Sequence, residues 1–166
     1  EGIDLSADYN KRTAFGNFRF SLEGTLVTKY LEQQYTNGPE LNRVGEWIGG
    51  DEPVMRWSHD LYVDWTLGRL GAGINHHFLS SYVDYTLTAA GEKRTVADYS
   101  IWGIYGSFKP TDATTVLLGV SNLLDTDPPF SNQANGTNTN WQSGFNPVYS
   151  DPTGRAFYLR LKYQFL

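Results

Sequence analysis

The chain has 166 residues, a net charge of −5, no cysteine and a mean hydropathy of −0.43. It therefore has no disulfide framework, no thiolate metal site and no apolar run of the roughly 18 residues that a membrane-crossing helix needs. The acidic balance, without a Lys/Arg run, excludes nucleic acid as a partner, because phosphate binding requires clustered positive charge.

Aromatic residues at 15%, with 17 Gly and 7 Pro, favour strands and turns, so the fold class is all-β. Alternation of period two marks seven strand segments along the chain. The first, 3–9, sets Ile3, Leu5, Ala7 and Tyr9 against Asp4, Ser6 and Asp8. The second, 17–35, sets Phe18, Phe20, Leu22, Leu26 and Tyr30 against Arg19, Ser21, Glu23, Thr25 and Lys29. In the third, 54–67, Trp57, Leu61, Val63, Trp65 and Leu67 oppose Asp60, Tyr62, Asp64 and Thr66, with His59 as a polar residue on the apolar side. The fourth and fifth, 72–88 and 98–109, carry polar and apolar residues on both sides, and the pattern does not assign their faces. The sixth, 114–124, places Val116, Leu118 and Val120 against Thr115, Gly119 and Ser121. The last, 157–166, has Phe157, Leu159, Leu161, Tyr163 and Phe165 on one face and Tyr158, Arg160, Lys162 and Gln164 on the other. A strand that is apolar on one side, charged on the other and aromatic at its end suits the wall of an outer-membrane barrel.

Connection lengths alternate. Short ones fall at 10–15, 68–71 and 109–113, long ones at about 36–53, 89–97 and 125–154. That is the pattern of an antiparallel meander with its turns on one rim and its long loops on the other. With the short turns in the periplasm, the last strand descends from outside and the C-terminus is periplasmic. Tyr163 and Phe165 then lie at the inner interface, and Tyr30, Tyr35 and Tyr85 at the outer one. Seven is an odd count and an open edge in hydrocarbon leaves backbone groups unpaired, so the chain is expected to be a fragment.

The segment Leu118-Gly-Val-Ser-Asn-Leu-Leu-Asp-Thr-Asp-Pro-Pro-Phe130, then Tyr149-Ser-Asp-Pro-Thr-Gly-Arg155 and the aromatic-ended strand, resembles the C-terminus of TonB-dependent outer-membrane receptors. Glu1-Gly-Ile-Asp-Leu5 and Phe20-Ser-Leu-Glu-Gly-Thr-Leu26 resemble earlier strands of that family, so the likeness covers nearly the whole chain. Leu166 after Phe165 departs from the family's usual aromatic end. The resemblance implies that residues 1–166 are the C-terminal segment of a 22-stranded transmembrane β-barrel around a plugged lumen. It also implies energy-coupled import of a scarce nutrient, such as a siderophore, cobalamin, an oligosaccharide or a peptide. The implied partners are outer-membrane lipid, the N-terminal plug and remaining barrel, TonB acting through a TonB box outside this chain, the barrel-assembly machinery and the small nutrient ligand. No cofactor and no enzymatic activity are implied.

Candidate sites follow from these faces. Trp47, Phe130, Trp141, Phe145 and Tyr149 lie in long loops, where aromatics among amides suit ligand stacking or packing of the loop on itself. Arg19, Glu23, Lys29, Asp60, Asp64, Arg160 and Lys162 lie on the polar faces, as do Asp4 and Asp8, and are expected to face the plug. Phe157, Leu159, Leu161, Tyr163 and Phe165 form the terminal strand that the assembly machinery would read. His76 and His77 are adjacent on a strand and point to opposite faces, which argues against a shared metal. Asp125, Asp127 and Asp151 read as turn formers rather than calcium ligands. Ser, His and Asp occur without a nucleophile motif. Two alternatives compete: a small 8-stranded outer-membrane barrel with a structural or adhesion role, and a soluble β-sandwich carbohydrate-binding module whose apolar faces would be buried against each other.

Overall fold

A computed structural model describes residues 1–48, 52–87, 90–132 and 144–165, with all their side chains except those of 85 and 86. Trp141, Leu166 and the side chain of Tyr85 lie outside the described residues. The strands are β1 (Gly2–Thr13), β2 (Gly16–Val27), β3 (Leu31–Gln33), β4 (Glu40–Asn42), β5 (Trp57–Leu67), β6 (Leu70–Leu79), β7 (Tyr82–Leu87), β8 (Lys93–Val96), β9 (Tyr99–Thr111), β10 (Thr114–Ser121) and β11 (Ala156–Tyr163). Seven of them form one antiparallel sheet in the order β1-β2-β5-β6-β9-β10-β11, open at β1 and β11. The all-β, seven-stranded meander expected from the alternation is thus the architecture.

Hairpins closed by two residues join β1 to β2, β5 to β6 and β9 to β10, since Thr13 pairs with Gly16, Leu67 with Leu70 and Thr111 with Thr114. Turns this tight fix the register, and a slip by one residue would send every side chain to the wrong face. The segments between the other strands are longer: 28–56, 80–98 and 122–155. The first two hold small two-stranded ribbons, β3 with β4 and β7 with β8. Two boundaries consequently differ from the alternation. The second strand leaves the sheet at Val27 rather than at 35, and the fourth leaves at Leu79 rather than at 88; in each case alternation continues into a ribbon that no longer belongs to the wall.

Register assigns the two faces that alternation left open. Ile74 pairs with Ile104, His76 with Trp102 and Leu70 with Phe108 on the apolar side. Asn75 pairs with Gly103, His77 with Ile101 and Gly73 with Tyr105 on the polar side. The apolar face then runs from Leu5 and Ala7 through Leu22, Leu61, Ile74, Ile104, Val120 and Phe157, with His59, His76 and Ser100 as a polar row within it. This wall is one layer thick. Ile3, Leu118 and Leu159 remain 63%, 61% and 67% exposed, whereas a sandwich seals its inward side chains between two sheets.

The polar face is levelled by glycine. The ring of Tyr105 lies over Gly73 and that of Tyr158 over Gly119, and a Cβ at either glycine would stand 2.3 Å from a ring carbon. The Tyr105 hydroxyl reaches across to donate to Asp64 Oδ1 at 2.5 Å.

The hydrophobic core lies outside the wall. Trp47, Tyr82 and Val96, with Met55 against them, form it at the loop rim, joined by buried Val44, Leu79 and Tyr99. Buried polar residues stitch the three long segments together there. Arg43, 2% exposed, donates to Glu32 Oε2 at 2.6 Å and to the main-chain oxygen of Glu52. Asp84 accepts from the Ser131 hydroxyl at 3.0 Å and from the Asn132 amide at 2.7 Å. Asn146 donates to Glu52, and the Tyr149 hydroxyl donates to the Pro53 carbonyl at 2.7 Å. The loops form a packed cap.

Candidate functional site

The cap and the upper part of the polar face enclose a groove of about 520 Å³. Its floor is His77 on β6, Tyr99 and Ile101 on β9, and Ser121 and Asn122 at the end of β10; its wall is the segment 147–153. Asn122 positions that wall. It adopts the left-handed region at φ 47°, tolerable for Asn because its side chain satisfies the turn locally. Its Oδ1 accepts from the Thr126 amide at 2.8 Å and its Nδ2 donates to the Thr126 carbonyl at 2.9 Å. Three residues on, Asp125 accepts from the Arg155 amide at 2.7 Å, which draws the start and end of the long segment together. The Asn-Leu-Leu-Asp stretch therefore works as a clasp.

Within the groove, His77 Nδ1 lies 2.8 Å from Asp60 Oδ1 on the neighbouring strand. A carboxylate only accepts, so Nδ1 carries the proton, and in the neutral imidazole Nε2 is left as an acceptor. Asp151 accepts from the Thr153 amide at 2.8 Å, which holds its carboxyl below the usual carboxylate range. The Tyr99 hydroxyl donates to the Asp151 carbonyl at 3.1 Å. No Lys or Arg lines the groove among the described residues. Beside it, burial raises Glu52 above the ordinary carboxylate range despite Asn146 and Arg43, raises Tyr149, and pushes Tyr82 up to about 12.

The predicted loop aromatics disperse. Tyr149 lines the groove. Trp47 is 8% exposed and packs inside the cap's core, so its ring faces are occupied by protein. Phe130 is 56% exposed, with the Arg94 guanidinium 4.9 Å from its ring centre, and Phe145 is half-buried beside the groove-wall segment.

The charged residues of the polar face are better ordered. Arg19 pairs in register with Asp64 and stands 3.5 Å from Asp8, while Glu23 pairs with Asp60. Arg160 and Lys162 lie across from Leu117 and Thr115. Lys29 lies beyond the end of β2, at the rim, 3.7 Å from Glu1. In β11, Phe157, Leu159, Leu161 and Tyr163 share the apolar face, and Phe165 follows the strand at 86% exposure.

Adjacent His76 and His77 do point to opposite faces. His76 belongs to a row on the apolar side: Trp57 Nε1 donates to His59 Nδ1 at 2.9 Å, His59 Nε2 lies 3.2 Å from His76 Nδ1, and His76 Nε2 lies 2.8 Å from Ser100 Oγ. Because Trp57 only donates, His59 must be protonated on Nε2, the nitrogen a metal shared with His76 would need. Among the described residues, no three His, Cys, Asp or Glu gather at a metal-binding spacing.

Sequence reasoning did not place Tyr99, Ile101 or Asn122 in a site, though Asn122 lies in the Asn-Leu-Leu-Asp stretch, and it gave His77 and Asp151 other roles. They meet only once the register of β5, β6 and β9 is set.

No protein-family profile and no curated protein matches the sequence. Solved structures do. A doubly substituted mutant of the ferric enterobactin receptor PfeA from Pseudomonas aeruginosa superposes with a TM-score of 0.61 at 18% identity, over 98% of this chain and 22% of that one. A singly substituted mutant of the same receptor gives 0.63 at 18% identity, over 99% and 22%. The siderophore receptor PirA from Acinetobacter baumannii gives 0.59 at 20% identity, over 99% and 22%. The fold is that of a segment of these siderophore receptors. The chain spans about a fifth of the length of these structures, and by name they are receptors rather than enzymes.

Proposed function

We propose that residues 1–166 are the C-terminal segment of the barrel of a TonB-dependent outer-membrane receptor that binds a scarce nutrient at the cell surface and imports it by energy-coupled transport. The observation that carries this reading is the segregation of faces across the seven wall strands, with most large apolar side chains on one side and nearly all charged ones on the other. A single-layer sheet of this kind is stable where acyl chains cover the first side and water or protein the second. The likeness to siderophore receptors over nearly the whole chain supports the same reading.

In this arrangement Leu22, Leu61, Ile74, Leu118 and Leu159 meet lipid. Arg19, Glu23, Asp60, Asp64, Arg160 and Lys162 meet the plug supplied by the rest of the receptor, with Lys29 at the rim above them. The hairpin rim and the C-terminus lie in the periplasm, and the cap and its groove face outward. The nutrient touches Tyr149 at the groove and Phe130 in the same long segment. β11 is the strand that the barrel-assembly machinery engages before closure. TonB acts through the portion of the receptor outside these residues.

The test is accumulation of radioiron, presented as ferric siderophores, by cells expressing the full-length receptor. Accumulation that disappears with a protonophore or without TonB is expected. Uptake that continues unchanged in de-energised cells overturns the transport reading.

A further inference from the structure

The groove has a definite chemical character, and we infer that it receives a cationic group of the imported ligand, an ammonium or its equivalent, rather than an anionic one. The inference rests on the receptor reading above and concerns what this part of the wall selects.

Among the lining side chains, His77, Ser121, Ser150, Asp151 and Thr153 offer acceptors, and the Asn122 amide is spent on Thr126. His77 is oriented by Asp60 so that its neutral form turns Nε2 outward as an acceptor. Asp151 contributes a carboxylate held ionised by the Thr153 amide. Ser121, Ser150 and Thr153 also line it. Tyr149, half-buried, lines the same space, and aromatic rings attract cations through the ring quadrupole. Among the described residues, the lining holds no guanidinium or ammonium that would bind a carboxylate, phosphate or catecholate. The nearby charged chains of the cap do not reverse this balance, because Arg43 is engaged by Glu32 and the Glu52 carbonyl, and Arg155 Nε donates to the Leu123 carbonyl at 2.9 Å. An anion would thus face Asp151 without a counter-charge, whereas an ammonium finds donors' natural partners on several sides. The volume, about 520 Å³, accommodates one arm of a siderophore-sized molecule.

The experiment uses three probes built on a single ferric trihydroxamate: ferrioxamine B with its free ammonium, the N-acetyl derivative, which is neutral there, and the N-succinyl derivative, which is anionic there. Binding to the purified full-length receptor in detergent is measured by tryptophan fluorescence, for wild type and for Asp151→Asn and His77→Phe. The ammonium form is expected to bind about tenfold more tightly than the succinyl form, with a gap that narrows as salt rises. Asp151→Asn should reduce that ratio several-fold while leaving the neutral probe's affinity within about twofold, and His77→Phe should weaken the ammonium form most. Equal binding of all three probes, preference for the succinyl form, no binding of any, or an Asp151→Asn effect equal on all three overturns the inference. The two readings fail separately. Energy-dependent iron uptake without charge preference defeats this one alone, and charge-selective binding with uptake indifferent to protonophore defeats the transport reading alone.

Discussion

The wall and the cap solve the problem of burial in opposite ways. The wall has seven strands and almost no interior: its large apolar side chains point outward from a single layer, and its stability in water would rest on backbone pairing alone. The cap, made from the connections between those strands, holds the buried hydrophobic cluster of Trp47, Tyr82 and Val96 and the buried charges of Arg43 and Asp84. External connections in a barrel are free to be irregular, yet these carry their own core and cross-bracing. A wall of this design needs a solvent to complete it, while the cap carries its own buried cluster and forms the groove together with His77, Tyr99 and Ile101 of the wall.

Variants that strike one region and spare the other would sharpen this contrast. The largest effect is expected for Arg43→Ala, which strips the partly exposed Glu32 of its counter-charge and leaves the Glu52 carbonyl facing a buried void. A loss of about 3 kcal/mol of local stability should appear as faster hydrogen exchange in 28–48 and 80–87, with wall amides unchanged. Equal acceleration in β1 and β2 would show that cap and wall are one cooperative unit. Leu159→Arg should do the reverse. A cation on the lipid side costs about 2–4 kcal/mol near the bilayer midplane, read as a lower unfolding midpoint of the receptor in lipid, while Leu117→Arg on the opposite face of the neighbouring strand should cost far less.

A smaller loss, about 1–3 kcal/mol, is expected for Gly73→Val, because the added branch meets the Tyr105 ring and must lift it off the wall. Releasing the Tyr105 hydroxyl from Asp64 should be visible as a change in tyrosine fluorescence or ring chemical shift, absent from Gly106→Val, where an added Cβ meets nothing within 4 Å. The smallest effect belongs to Glu52→Gln. Burial favours the neutral form of Glu52 in the fold, so its ionised form weakens the cap at neutral pH, and protection of the cap should rise as pH falls toward the raised carboxyl range. Gln keeps an acceptor for Asn146 and should change stability by less than about 1 kcal/mol, and it should abolish that pH dependence. A dependence that survives the substitution would place its origin elsewhere.

The same division governs what the sequence discloses. Wall strands announce themselves because neighbouring residues alternate with the pleat: 3–9, 114–124 and 157–166 carry their faces in plain view. Segments 72–88 and 98–109 do not, since His76 and His77, or Ile101 and Trp102, differ too little in polarity for alternation to separate; cross-strand pairs such as Ile74 with Ile104 make the decision. Strand ends at Val27 and Leu79 were hidden because the following ribbons keep the same rhythm. In the cap, Trp47, Tyr82 and Val96 lie far apart in sequence without a shared period, and Arg43 reads as one more surface cation. The groove inherits both difficulties, for it needs wall register to bring His77 beside Asp60 and cap packing to set Asp151 above them.

The two margins of the sheet are unequal in length: β1 has 12 residues and β11 has 8. Stacked margin to margin, copies of this sheet would leave four residues of each longer border without a mate, a mismatch repeated at every junction of a would-be fibre. A border of twelve and a border of eight thus discourage this sheet from stacking opposite margins on copies of itself.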